Sequence, residues 1–162
     1  LGLINFLQDR DGVGRRYGVY LDAYGWKIPS LPVRVAVDQG WDVPSGEDMI
    51  IGWRGGVDAP PRVSYVYLYE DVNRDRKTRP ADEFTDRIVI IGATATGLHD
   101  IRVTPISNTH PGVEILASAI DSVKNRPEAL ACNDRAKWVL DKLNEGTGPA
   151  STRQAKKRGK KA

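Results

Sequence analysis

The segment RIVIIGATATGLHDIRVTP, residues 87–105, combines an apolar run with glycines and small hydroxyl residues. Nucleotide-phosphate sites often begin this way, because glycine lets a phosphate approach the backbone closely. Gly92, Thr94 and Gly97 have the spacing of a dinucleotide fingerprint, but Thr94 places a Cβ where bare backbone is required. The pattern therefore favours strand-to-loop packing, and nucleotide binding or a soluble α/β enzyme using Gly92–Gly97 stays the alternative.

Two acidic stretches have part of the spacing of calcium-binding loops. Asp9-x-Asp11-Gly12 lacks the terminal bidentate acid, and Asp71-x-Asn73-x-Asp75 is followed by Arg76 where the loop requires glycine. Ordinary turns, in which aspartate or asparagine side chains bond to the nearby backbone, are the favoured interpretation of both stretches.

The residues offer little catalytic chemistry. His99 and Asp100 could join His110 as zinc ligands, but a loop histidine beside an acid is more often a hydrogen-bonded surface pair. No serine lies in a G-x-S-x-G motif, and Cys132, the only cysteine, lacks a recognisable active-site motif. No enzyme chemistry therefore rises above background, and we predict no cofactor and no metal.

Length and charge limit the organisation of the chain. Its 162 residues can bury one substantial core, and no apolar run approaches the roughly 18 residues of a membrane span. The formal charge is +3, yet residues 147–162 alone carry six basic side chains and no acid, which leaves −3 for residues 1–146. The folded part therefore carries no signal for specific nucleic-acid binding.

The first half of the chain shows local signals for short strands and a helix. Residues 1–7 and 15–21 are strand-like and are separated by the turn-rich QDRDGVG, which predicts a hairpin. Ser30 precedes LPVRVAVDQG, whose early proline and final glycine predict a short helix. DMIIGWRGG, residues 48–56, indicates a strand. RVSYVYLYEDV is ambiguous between strand and helix, and its alternating tyrosines suggest one face of a half-buried strand or a helix rim.

The second half contains the clearest strand signal. RIVIIGA is a nearly continuous β-branched run, so we expect Ile88–Ile91 to form an inner strand of an α/β sheet, buried on both faces. Apolar residues at helical spacing predict a helix over Gly112–Lys124 that packs on this sheet. The predicted fold is a single α/β domain over residues 1–130, with a mixed central sheet flanked by helices. A further helix over 131–146 and a disordered basic tail over 147–162 follow it.

Several blocks occur together in a familiar order: QDRDGVGRRYGVYL, KIPSLPVRVAV, IIGWRGG, PRVSYVYLYEDV, FTDRIVIIGATATGLHDIRVTP and HPGVEILASAIDSV. Together they resemble the type 2 CHASE domain, the cyclase/histidine-kinase-associated sensory extracellular domain. The resemblance covers about residues 1–128 and is strongest over Arg87–Val123. Family domains begin with further strand and helix material before a segment like LGLINF, so we expect the N-terminal part of the family domain to be missing.

The resemblance implies an extracytoplasmic input module, in the periplasm or outside the cell. Such a module is joined through membrane helices to a cytoplasmic adenylyl or guanylyl cyclase, histidine kinase or serine/threonine kinase. Its signal would be a small molecule or a protein, its assembly a homodimer, and it would have no catalytic residues. The ligand-binding candidates are charged residues of the family-like blocks: Asp9, Asp11, Arg15, Arg54, Asp100 and Arg102. For Asp100 we expect mainly a structural role, in which its carboxylate fixes the loop that precedes Thr104.

Overall fold

The computed structural model describes residues 2–4, 6–54, 59–94 and 100–125. Strands and helices both contribute, as predicted for an α/β chain. The strands are β1 (Phe6–Gln8), β2 (Gly14–Gly18), β3 (Tyr20–Ala23), β4 (Trp26–Pro29), β5 (Asp48–Ile50), β6 (Ile101–Thr104) and β7 (Ser107–Pro111). The helices are α1 (Leu31–Gln39), α2 (Tyr65–Val72) and α3 (Gly112–Asn125). The predicted helix over 131–146 and the tail lie outside the described residues.

The predicted N-terminal hairpin is confirmed and forms part of a three-stranded antiparallel sheet. In the order β1–β2–β5, β2 is the central strand and pairs with both neighbours. The turn after β1 places Gly12 at φ 79°, a conformation that glycine adopts without steric cost. There the Gly12 N–H donates to the carbonyl of Asp9 at 2.9 Å. The strand predicted over residues 48–56 is regular only as far as Ile50.

Helix α1 begins and ends where the sequence predicts. Ser30 occupies the N-cap position, although its hydroxyl makes no capping hydrogen bond, and Pro32 lies in the first turn. Gly40 terminates the helix with φ 69°, and the next N–H, from Trp41, donates to the carbonyl of Ala36 at 2.8 Å. This left-handed ending is the usual role of glycine at a helix C-terminus.

The hydrophobic core lies where α1 and α3 pack against the sheet. Helix α3 contributes Ile115, Leu116, Ala119, Ile120 and Val123, all of them buried. The spacing of these residues keeps them on one face of the helix, so the predicted helix and its core face are confirmed. The opposing residues, from the sheet, its flanking segments and α1, are Tyr17, Val19, Val33, Ala36, Met49 and Ile51.

The prediction of a central mixed sheet with Ile88–Ile91 as its inner strand is wrong in detail. The sheets are separate and their named strands pair only in antiparallel fashion, and residues 88–91 lie outside every described strand. Ile90 packs against the core, whereas Ile91 is 78% exposed. A β-branched run becomes a strand only if another strand satisfies its backbone groups, and no described strand pairs with this one.

The ambiguous segment before this run forms a helix. Tyr65, Tyr67 and Tyr69 lie on α2, and each is 65% exposed, so of the two alternatives the structure has the helix and not the half-buried strand face. A period of two residues places all three side chains on one face of a strand. On a helix, Tyr65 and Tyr69 share one side because they are four positions apart, and Tyr67 lies on another side. The three tyrosines therefore do not line one buried stripe.

Two further hairpins complete the described structure. Strands β3 and β4 are joined by Tyr24 and Gly25, which both have positive φ, the conformation of the tight turn that suits a hairpin. Strands β6 and β7 pair across the turn that contains Pro105 and Ile106, with an irregularity between Arg102 and Thr104. The second hairpin leads directly into α3.

Candidate functional site

The site begins where β7 passes into α3. His110 lies near the end of β7, Pro111 and Gly112 form the junction, and Glu114 falls in the first turn of α3. The spacing of four residues brings the His110 ring and the Glu114 carboxylate together. Thr104 ends β6 across the hairpin, so its hydroxyl also faces the ring.

His110 is almost completely enclosed, with 8% of its side chain exposed. Its Nδ1 atom lies 2.9 Å from the Thr104 hydroxyl oxygen, and its Nε2 atom lies 3.5 Å from Oε2 of Glu114. The indole of Trp53 covers the ring at a centroid distance of 5.4 Å and a tilt of 50°. A titratable imidazole is thus held by one neutral and one acidic neighbour beneath an aromatic ring.

Glu114 connects this histidine to a distant part of the chain. The Arg62 guanidinium, which precedes α2, donates to the same Oε2 atom at 2.5 Å. The other carboxylate oxygen of Glu114 and the indole N–H of Trp53 are buried, and neither has a hydrogen-bond partner among the described residues. We refer to Trp53, Arg62, Thr104, His110 and Glu114 as the His110 cluster.

The environment of His110 favours its neutral form. Burial lowers the pKa of His110 below its ordinary value of 6.5, because the charged imidazolium loses hydration. The Glu114 carboxylate opposes this effect and the Arg62 guanidinium adds to it. The histidine is therefore uncharged at neutral pH and accepts a proton only under acidic conditions.

Three of the six predicted ligand-binding residues meet in a separate ion-pair network. Asp9 accepts hydrogen bonds from Arg15 at 2.8 Å and from Arg16 at 2.9 Å, and Asp11 accepts two from Arg15. Arg16 also reaches Asp48 of β5 at 2.9 Å. These charges bind one another and fix the turn between β1 and β2, which is a structural use of all of them.

The other predicted residues lie elsewhere. Arg54 forms an ion pair with Asp121 of α3 at 2.8 Å, and Arg102 approaches Asp100 only to 3.9 Å. The carbonyl of Asp100 accepts the N–H of Gly112 at 2.9 Å, so this residue ties the loop to the start of α3. Its carboxylate lies directly against Gly112, where a side chain would collide with it.

Two of the aspartates considered for calcium, Asp71 and Asp11, have hydrogen-bond partners within the protein. Asp71 accepts hydrogen bonds from the Thr78 hydroxyl and N–H, which lower its pKa, and from the Arg79 N–H. Asp11 accepts the N–H of Val13 at 3.0 Å in an aspartate turn. Within the described part of the chain, no group of three or more histidine, cysteine or acidic side chains is placed to hold a metal ion.

The glycine considered for nucleotide binding serves a packing role. A Cβ on Gly92 would lie 2.5 Å from the side chain of Val113 in the first turn of α3. The missing side chain therefore accommodates the helix, which occupies the space that a fingerprint glycine offers to a phosphate. His99, Gly97 and the rest of that loop lie outside the described residues.

Sequence reasoning weighed His110 only as a metal ligand and missed the cluster around it. The available signal was the H-P-G-V-E spacing, which puts an acid four positions after a histidine. Arg62 and Trp53 carry no such signal, because they reach the histidine from segments roughly fifty residues away in the chain.

A model of the CHASE2 domain family matches residues 1–147. The chain belongs to the CHASE2 domain family. The match confirms the resemblance and continues past residue 128 into the segment that follows α3. CHASE2 domains are sensory extracytoplasmic modules of signalling receptors and are not themselves catalytic. No curated protein and no solved structure matches the chain.

The described part of this CHASE2 domain contains no helix with the length and apolar character of a membrane span. Its helices have at most 14 residues, the length of α3, whereas a span needs about 20.

Proposed function

We propose that this CHASE2 domain is the extracytoplasmic input domain of a transmembrane receptor. The cytoplasmic output would be an adenylyl or guanylyl cyclase, a histidine kinase or a serine/threonine kinase in the same parent chain, joined through membrane helices. An input domain changes output only if its signal binds one conformation better than another. The domain therefore needs a polar site that is mechanically connected to its core.

Helix α3 carries the proposal because it makes that connection. Its first turn holds Glu114 of the His110 cluster, while the rest of the helix supplies Ile115 through Val123 to the core. The Ser122 hydroxyl also accepts the N–H of Gly52 at 3.0 Å, which links the far end of α3 to the segment after β5. Since closely packed cores shift between discrete arrangements, a change at the first turn can move the whole helix.

Membrane topology gives the first test. The complete gene is expressed with alkaline phosphatase or green fluorescent protein inserted between Arg76 and Lys77, in the exposed segment after α2. Phosphatase is active only outside the cytoplasm, so we expect phosphatase activity and no fluorescence. The reverse result, or a gene without membrane helices and an output domain, contradicts the proposal.

The output of the parent receptor gives the second test. We expect Glu114→Ala to change cyclic-nucleotide production or autophosphorylation of the purified receptor, because it removes the anion that joins α3 to Arg62. Glu70→Ala is the matched control, since Glu70 is an exposed glutamate whose partner Arg74 lies 3.7 Å away on the same helix face. If both variants and the unmodified receptor give the same output, α3 does not take part in signalling.

A further inference from the structure

We propose that the proton is a signal for this domain and that His110 is the residue that binds it. This inference rests on the proposed sensory function, and it identifies the chemical class of the signal. Three contacts support it: His110 with Thr104, His110 with Glu114, and Glu114 with Arg62.

Thr104 allows the site to accept both forms of the imidazole. The Thr104 hydroxyl lies 2.9 Å from His110 Nδ1 and 3.2 Å from the carbonyl of Ser107, and it also accepts the Ser107 N–H at 3.2 Å. When His110 is neutral, the hydroxyl donates its proton to Nδ1. When Nδ1 is protonated it becomes the donor, and the hydroxyl turns its own proton to the Ser107 carbonyl. A rotation of one hydroxyl thus satisfies either state.

Protonation of His110 changes the ion pairing of Glu114. In the structure its Oε2 lies 2.5 Å from the Arg62 guanidinium and 3.5 Å from His110 Nε2. A positive imidazolium attracts this carboxylate and repels the guanidinium, so two cations then compete for one anion. Because His110 is enclosed and Arg62 is 68% exposed, Arg62 is the partner that can leave into solvent at small cost.

Two of the elements packed around His110 present a charged side chain to it. Helix α3 presents Glu114, and the segment before α2 presents Arg62, while Thr104 of β6 and Trp53 after β5 are neutral. The cross-strand neighbour of His110 is Arg102, a largely exposed side chain near Asp100. Glu114 and Arg62 are therefore the two charged groups that act on His110.

The direction in which stability changes with pH follows from the burial of His110. The folded domain binds this proton less readily than the unfolded chain does, since the pKa is lowered in the folded state. The stabilisation that neutral His110 provides is therefore complete above pH 6.5 and is lost as the pH falls through the folded pKa. Acidification weakens the hold of Glu114 on Arg62 and so loosens the attachment of the segment leading into α2.

Nuclear magnetic resonance of the full 162-residue chain tests each contact. The variant His99→Gln removes the signals of the other histidine, which leaves the His110 ring nitrogens to be followed from pH 8 to 4.5. We expect the Nε2-protonated tautomer at pH 7.5 and a midpoint below 6.5. The Arg62 side-chain N–H and the Trp53 indole N–H should move with the same midpoint, and the Arg62 step should vanish in His110→Gln.

Charge variants make the coupling quantitative. Arg62→Gln should raise the His110 midpoint and Glu114→Gln should lower it, because each removes one of the two charges that face the ring. Arg34→Gln is the matched control, since Arg34 is a surface arginine paired with Asp38 on α1, and it should leave the midpoint unchanged. A proton on Nδ1 at pH 7.5, no titration of His110, or an Arg62 signal that does not follow it would overturn the proposal.

The parent receptor separates this proposal from the sensory function on which it rests. If His110→Gln abolishes the response of receptor output to external pH, proton sensing is supported. If the output responds to pH equally in both receptors, the sensory function stands and the role of His110 is refuted. If the parent has no output domain, the sensory function is refuted, and the titration then describes a pH-dependent contact without signalling.

Discussion

Asp9 and Asp11 lie two positions apart in one turn, but their surroundings differ. The Asp9 side chain is 2% exposed and receives two guanidinium groups, whereas Asp11 is 52% exposed and binds one. The hydrogen bonds from Arg15, and then that from the Val13 N–H, lower the pKa of Asp11 to about 2. Asp11 therefore remains charged at neutral pH, while the burial of Asp9 makes that carboxylate the harder one to replace.

The first prediction compares these two carboxylates. Asp9→Asn should destabilise the domain by about 1–3 kcal/mol, because two partly buried guanidinium groups lose the buried anion that they share, and each keeps one other carboxylate partner. Asp11→Asn should have a clearly smaller effect at pH 7, since water solvates the exposed Arg15–Asp11 pair. Urea unfolding of the full chain measures both. If both variants lose the same free energy of unfolding, the burial of Asp9 does not make its ion pairs more stabilising than that of Asp11.

The second prediction concerns acid. The contribution of Asp11 to stability is present above pH 3.8 and is lost as the pH falls towards 2, because the folded state holds this proton less tightly. The variant Asp11→Asn should therefore show a weaker pH dependence of stability between pH 4 and 2. Unfolding midpoints across this range provide the measurement, and an unchanged slope would contradict the ion pair with Arg15.

Elements of this domain meet with little spare room at the first turn of α3. The backbone of Gly92 lies against Val113, and Gly112 lies against Asp100. The chain thus uses glycine at two places where segments after residue 87 approach the helix. Close packing of this kind transmits displacement well and tolerates added atoms poorly.

The third prediction tests the contact between Gly92 and α3. Gly92→Ala should cost about 1–3 kcal/mol, because the new methyl group forces the loop or Val113 out of position. The neighbouring Ala93→Ser changes an exposed residue and should be nearly neutral. Thermal unfolding compares the two. Calorimetric titration with ATP, NAD and cyclic nucleotides should show no binding, and tight binding that Gly92→Ala abolishes would restore the nucleotide interpretation.

The fourth prediction distinguishes the observed packing of residues 88–91 from a doubly buried strand. Ile90→Ala should destabilise the domain by about 1–2 kcal/mol, since a partly buried isoleucine loses contacts with the core. Ile91→Ala should change stability by less than about 0.5 kcal/mol, because its side chain lies in solvent. An inner strand buried on both faces would make both substitutions costly, so similar large losses would contradict the structure.

The whole molecule has an uneven distribution of charge. Six basic residues lie in 147–162, and the rest of the chain has a formal charge of −3. Attraction to a polyanion should therefore depend on this terminal segment and weaken steeply with salt, as counterions compete for the same charges.

The fifth prediction concerns removal of residues 147–162. The shortened chain should keep its melting temperature and lose retention on a heparin column, because the segment has little apolar surface to contribute to a core. Calorimetry and salt-gradient chromatography measure the two properties. A fall of many degrees would show that the segment packs on the domain, and continued retention would reveal a basic face within residues 1–146.

Local chemistry was sufficient to predict several elements. The turn residues between β1 and β2, the proline and glycine that bound α1, and the helical spacing of α3 act over a few positions. The α/β class and the CHASE2 family could therefore be predicted from the sequence, the family from the order of its blocks.

Contacts between distant segments determine the features that the sequence did not predict, namely the conformation of residues 88–91 and the surroundings of His110. The β-branched composition of Ile88–Ile91 favours a strand, but a strand also requires a neighbour for its hydrogen bonds, and composition does not specify that neighbour. His110 likewise acquires its character from Arg62 and Trp53, which approach from other parts of the chain. Burial and charge proximity shift a pKa through space, and folding alone brings these groups together.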